Sequence, residues 1–257
     1  MHPFCYRTVL AGSFLVLSAA LQPALARQAP DPLRFVMWTV DDAVGIVGGV
    51  SYPEVLGVAG AGLVVFGVSR FDRDVARHTA PITDDGLIRV AEEFGNPRVV
   101  LPMSIVVFTG ALLSGDARFQ EAAFTSIEAL LFANAVTLSL KLATGRARPG
   151  RDLGPGSIEP FSGKYSFPSG HATTAFAVLT PWYLYYPGPA TAGLLVVAGA
   201  TAFSRMAANE HWLSDVVAGS AIGFATAYVL ARRHIRLGPT RVTPALSANT
   251  VRIEIRF

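Results

Sequence analysis

The sequence predicts an all-α fold, a bundle of six apolar helices with its functional residues at one end and a small β-strand or hairpin at the C-terminus. Three observations lead there. Hydrophobic residues make up 51% of the 257 residues against 15% charged, a balance that favours a buried or membrane-embedded helical protein. Apolar stretches of helix length recur between proline and glycine breaks. The last residues alternate instead with a period of two.

The first 27 residues have the make-up of a secretory signal. His2 and Arg7 precede an apolar run from Val9 to Leu21, and Ala24-Leu25-Ala26 offers a cleavage site. The one cysteine, Cys5, falls inside it, so a mature chain would carry no disulfide or thiolate. Residues 28–54 read as an amphipathic or interfacial segment, interrupted by Asp41-Asp42. The main domain, 55–236, holds six expected helices: Val55 to Ser69, Arg98 to Leu113, Gln120 to Leu142, His171 to Tyr186, Ala190 to Ser204 and His211 to Arg233. Between the first two, Arg70 to Asn96 is too polar to span a membrane and is expected to form one short surface helix near Asp85 to Phe94. In the tail, 237–257, Val251, Ile253, Ile255 and Phe257 alternate with charged residues, which suggests a strand paired with Arg241 to Leu246. The formal charge of +3 is spread in short clusters, which argues against nucleic acid as a partner. No obligate protein partner is evident.

Three clusters carry chemistry. At the end of the third helix, Lys141, Arg146 and Arg148-Pro149 gather around Gly145. The glycine can end the helix, and the proline steers Arg148 out of helical geometry. Such a group suits an oxyanion, though cations also favour helix C-termini for structural reasons. Pro168-Ser169-Gly170-His171 opens the next helix, with Ser169 as N-cap and Gly170 allowing a ligand near the first-turn amides. Finally Ser204-Arg205 precedes His211 and Asp215, which stand four apart at a helix start. On one face, the carboxylate can orient the ring and leave its other nitrogen as a nucleophile. Consecutive antiparallel helices bring all three clusters to the same end of the bundle.

Lys141 through six residues to Arg148-Pro149, Pro168 to His171, and Ser204-Arg205 through five to His211 and three to Asp215 resemble the three-part signature of the PAP2 (type 2 phosphatidic acid phosphatase) and vanadium haloperoxidase superfamily. The resemblance covers roughly Asp116 to Arg233. It implies that His211 attacks phosphorus to form a phosphohistidine, that Asp215 holds its ring, and that His171 protonates the leaving oxygen. It also implies that Lys141, Arg148, Ser169, Gly170 and Arg205 bind the phosphate, with no metal or other cofactor required. Arg146 and Lys164 match no signature position and read as ordinary surface cations. Glu128 and Asn134, inside an apolar helix, are expected to hydrogen-bond within the bundle.

The expected activity is metal-independent hydrolysis of a phosphate monoester or pyrophosphate of a lipid, such as phosphatidate, phosphatidylglycerol phosphate or undecaprenyl pyrophosphate. A soluble periplasmic acid phosphatase, a vanadium haloperoxidase and a non-catalytic binder of anionic lipid are the alternatives. Topology pulls two ways. Export followed by three crossings would leave the Lys141 end cytoplasmic, whereas Arg232, Arg233 and Arg236 at the far end of the last helix favour the opposite orientation. The protein is expected to be a membrane protein of the cell envelope with a periplasmic active site, or else soluble in the periplasm.

Overall fold

The computed structural model describes residues 33–48, 52–79, 86–237, 241–247 and 250–256. The expected signal segment and Cys5 lie outside them. The helices run α1 Leu33–Gly48, α2 Tyr52–Ser69, α3 Asp72–Thr79, α4 Gly86–Glu93, α5 Pro97–Ser114, α6 Ala117–Thr144, α7 Gly170–Tyr185, α8 Pro189–Ala207 and α9 Leu213–Leu237. The six expected apolar helices are thus present as α2 and α5 to α9. The polar stretch after α2 holds two short helices, α3 as well as the expected α4. Strands β1 (Arg241–Ser247) and β2 (Thr250–Arg256) pair antiparallel, with Ser247 opposite Thr250.

Helix ends follow local chemistry. The Asn96 and Asp116 carboxamide and carboxylate oxygens accept the backbone N–H groups of Arg98 and Phe119, each at 3.1 Å, and so start α5 and α6. Gly145 ends α6 in the left-handed conformation, φ 54°, and its N–H reaches the Lys141 carbonyl. A Cβ there would lie 1.6 Å from the Glu159 carbonyl oxygen, so only glycine fits.

Helix α7 is the centre of the bundle, packed against α6, α8 and α9. Its buried alanines, 172, 175 and 177, join small core clusters with Ala129 and Ala133 of α6, Ala198 and Ala202 of α8 and Ala227 of α9. Small residues allow close approach. A Cβ on Gly219 or Gly223 of α9 would meet the carbonyl oxygens of Ser169 or Thr173 at 2.4 and 2.3 Å. Backbone therefore touches backbone where α7 begins.

The outer surface is apolar. Leu63 and Phe66 of α2, Ile105, Val106 and Leu113 of α5 and Val196 of α8 are all exposed, far more apolar surface than water tolerates on a small domain. Among the described residues, four helices, α5, α6, α8 and α9, are long and apolar enough to cross a membrane. The protein is membrane-associated.

Candidate active site

The alternating helix directions bring the end of α6, the start of α7, the end of α8 and the start of α9 together. The Ser169 N–H donates to the Asp215 carbonyl at 2.9 Å, which ties α7 to α9. Glu210 and His211 N–H groups donate to the Arg205 carbonyl at 3.1 and 3.2 Å, folding the α8–α9 turn back on itself. Gly95, in the turn between α4 and α5, presses on the first turn of α7: a Cβ there would be 2.6 Å from the His171 carbonyl oxygen.

His211 is buried but lies in the bend just before α9, so it does not share a helical face with Asp215 as expected. Its Nδ1 is 3.8 Å from Asp215 Oδ2, an ion-pair distance too long for a hydrogen bond, and has no hydrogen-bond partner. The Asp215 carboxylate is occupied otherwise: Oδ2 accepts from the Ser166 hydroxyl at 2.5 Å and the Trp212 N–H at 3.0 Å. With Nδ1 turned to this carboxylate, Nε2 is the nitrogen left to face a ligand.

Arg146 corrects a second expectation. It is no surface cation: it is 7% exposed and clamps two fully buried carboxylates. One guanidinium nitrogen donates to Asp215 Oδ1 at 2.5 Å and to Ser214 Oγ at 2.7 Å, the other to Asp72 Oδ2 at 2.7 Å, and Nε donates to the Pro155 carbonyl. Asp72, from α3, also accepts the Ser214 N–H at 2.9 Å. Asp72, Ser166 and Ser214 are the site residues that sequence reasoning missed, and Arg146 is the one it placed at the surface. Nothing local marks Asp72, which lies 74 residues before its partner. Lys164 does pair near the surface, with Glu159 at 2.5 Å.

The remaining cations ring the mouth. Lys141 Nζ donates to the Tyr165 carbonyl at 2.6 Å, and its side chain runs beside Gly170. Arg148, extended at φ −75° and ψ 157° as its proline requires, pairs with Glu210. Arg205 pairs with Glu92 of α4 at 2.6 Å. Ser169 occupies the N-cap position of α7, but its hydroxyl makes no capping bond. It is fully buried without a partner, as is the Nε of Arg205.

Burial pushes the His171 imidazole down to about 3, and the charges of Arg205, His211, Lys141 and Arg148 add to the effect. His211 is likewise lowered to about 4, chiefly by burial, with the Asp215 carboxylate opposing the shift. Both rings are therefore neutral at neutral pH.

An apolar groove of about 440 Å³ starts at Glu93 and Phe94, beside this mouth, and runs between α5, α6 and α7 past Val100, Met103, Leu179 and Trp182. The combination can hold an oxyanion on cations and helix N-terminal amides while an apolar chain lies alongside.

The profile of the PAP2 superfamily matches residues 122–238. A lipid A 1-phosphatase of Rhizobium johnstonii is 34% identical over 189 residues, 66% of this chain and 77% of that protein. A lipid A 1-phosphatase of Rhizobium etli is 35% identical over 182 residues, 63% of this chain and 78% of that protein. The fold is similar to that of a transmembrane PAP2-type phosphatidylglycerolphosphate phosphatase from Bacillus subtilis, with a TM-score of 0.52 and 18% identity over 81% of this chain and 96% of that one.

Proposed function

Because the chain belongs to the PAP2 superfamily and is a phosphoric-ester hydrolase, we propose that it removes a phosphate from a membrane lipid, with the 1-phosphate of lipid A as substrate and His211 as the residue phosphorylated. The observation that carries this reading is that the apolar groove begins at Glu93 and Phe94, next to Gly95, which lies against the backbone of His171. The groove accommodates an acyl chain while the phosphate reaches His211. Residues 55–236 then form the catalytic unit.

In the proposed reaction Lys141, Arg148 and Arg205 hold the phosphate oxygens, joined by the unpartnered Ser169 hydroxyl and the Gly170 amide. The neutral His211 Nε2 attacks in line, forming a P–N bond as the P–O bond to the lipid breaks. Asp215 supports the positive charge that develops on the imidazole. His171 delivers a proton to the leaving oxygen and then takes one from the water that hydrolyses the phosphohistidine.

His171 is neutral in the ligand-free protein. Its proton therefore arrives with the substrate as the phosphate monoanion, whose second ionisation lies near pH ~6. Once bound, the phosphate charge offsets the cations that depress His171 and lets it hold that proton.

Arg232 and Arg233 sit at the end of α9 away from Asp215. By the positive-inside tendency this end is cytoplasmic and the active site periplasmic.

The test is phosphate release by detergent-solubilised protein from lipid A, phosphatidate, a prenyl pyrophosphate and a soluble aryl phosphate, with His211→Ala as control. Mass spectrometry of the lipid A product should show loss of the 1-phosphate. Preference for another lipid would overturn the substrate assignment, and full activity in the variant would overturn the histidine mechanism.

A further inference from the structure

A second cluster of ligating side chains lies in the other half of the bundle, roughly 20 Å along α6 from Lys141 and roughly 28 Å along α9 from Asp215 at the ~1.5 Å helical rise. Asp42 of α1, Glu128 of α6 and His234 of α9 are all buried, and each offers a ligand atom within 4.8 Å of the others. His234 Nε2 is 2.7 Å from Asp42 Oδ2 and 3.4 Å from Glu128 Oε2. Its Nδ1 is 2.7 Å from the Thr125 hydroxyl, and its ring stacks on Trp38 at 4.2 Å, so the ring's orientation is supported from two sides.

The independent observation is Glu128. It is 4% exposed and faces the bundle interior as expected, but neither carboxylate oxygen accepts a hydrogen bond of ordinary geometry. A buried carboxylate without a donor is costly. If Nδ1 gives its proton to the Thr125 hydroxyl, Nε2 presents a lone pair to two carboxylates, an arrangement that a cation among them satisfies. A proton on Nε2 serves Asp42 and leaves Glu128 unsatisfied. Arg233 offers one further charge, through Asp42 Oδ1 at 2.9 Å.

We propose that Asp42, Glu128 and His234 bind a divalent transition ion of the zinc class, which staples α1 to α6 and α9. One imidazole and two carboxylates match the ligand types of such ions. Tetrahedral ligands at ~2.1 Å from zinc stand about 3.4 Å apart. The His234–Glu128 distance already meets this, and the His234–Asp42 pair needs to open by less than about an ångström. Thr125 acts as the outer partner that fixes the ring.

The experiment uses the full chain, purified in detergent without a histidine tag, stripped with chelator, loaded with Zn²⁺ and desalted. Metal analysis should give about one zinc per chain for wild type and for His211→Ala, and little for Glu128→Gln or His234→Gln. Thr125→Val should weaken zinc binding about ten- to a hundredfold. Zinc K-edge absorption on the wild type should show nitrogen and oxygen ligands with one imidazole, a readout that does not depend on the variants folding. Wild type retaining no zinc, or folded Glu128→Gln and His234→Gln proteins retaining as much as wild type, would overturn the assignment in favour of protons held among His234, Asp42 and Glu128.

Discussion

Replacing Arg146 with glutamine separates a buried clamp from the surface cation that the sequence suggests. The change removes the guanidinium bonds to Asp72 and Asp215, two carboxylates with no solvent exposure. Each charge-assisted bond contributes about 1.5–3 kcal/mol, and breaking a buried pair from one side costs about 3–5 kcal/mol. The loss stays at the lower end of that range. Asp72 keeps the Ser214 N–H and hydroxyl, and Asp215 keeps Ser166 and the Trp212 N–H. A destabilisation of about 3 kcal/mol is expected, against about 0.5 kcal/mol or less for a surface residue. Activity should suffer through position alone: a carboxylate displaced by about 1 Å misaligns His211, for a loss near a hundredfold in kcat. Thermal unfolding in detergent and initial rates of phosphate release measure both. A Tm within about a degree of wild type together with kcat within about twofold would refute the clamp.

Three further outcomes are expected. His211→Ala should lower phosphate release by more than about 10⁴-fold without loss of fold, read by rate and by circular dichroism. The pH profile of kcat/KM should fall on the acid side as His211 protonates at about 4, because a ring whose affinity for protons is lowered keeps its lone pair down to that pH. On the alkaline side it should fall above pH ~6, where the phosphate loses the proton that His171 needs; an acid limb at the ordinary histidine value would contradict the burial of His211. Gly223→Ala drives a methyl group to 2.3 Å from the Thr173 carbonyl oxygen and should cost about 1–3 kcal/mol, seen as a lower Tm, whereas Gly193→Ala, with nothing within 4 Å, should be close to neutral.

What the sequence reveals of this protein is mostly what is local. Gly145 and Pro149 mark the end of α6, and Asn96 and Asp116 mark helix starts, because capping and proline geometry act over a few residues. The gathering of Lys141, His171, Arg205 and His211 follows from helix order: the short α7–α8 and α8–α9 turns leave those neighbours little choice but to run antiparallel, and the longer 145–169 connection returns to the end of the bundle it left, its Ser166 N–H bonding the Arg146 carbonyl. Arg146 was misread because its meaning depends on Asp72. The carboxylate sits in a polar stretch that looks like a surface connection, and only the docking of α3 under the α6–α7 segment turns it inward. Ser169 shows the same limit on a smaller scale: its position as N-cap was legible, but the direction of its hydroxyl depends on what α9 places beside it. The Asp42, Glu128 and His234 cluster could not be read either, since three residues on three helices have no common spacing.

The carboxylates at the mouth bear on how a phosphate enters. Arg148 and Glu210 are both more than a third exposed, with side-chain exposures of 42% and 36%, so their ion pair contributes about 1 kcal/mol at most and yields readily to an anionic ligand. Arg205 is 10% exposed and its partner Glu92 27%, so exchanging this carboxylate for phosphate is a closer contest and is decided by what else the ligand gains. Glu92 lies on α4, whose following turn carries Phe94 into the groove and Gly95 onto His171. A ligand that fills the groove and displaces Glu92 acts on the same short element from both sides. A soluble phosphate can do only the second. On the proposed reading, that asymmetry would favour lipid over small esters through the α4–α5 turn, without any additional contact to the phosphate itself.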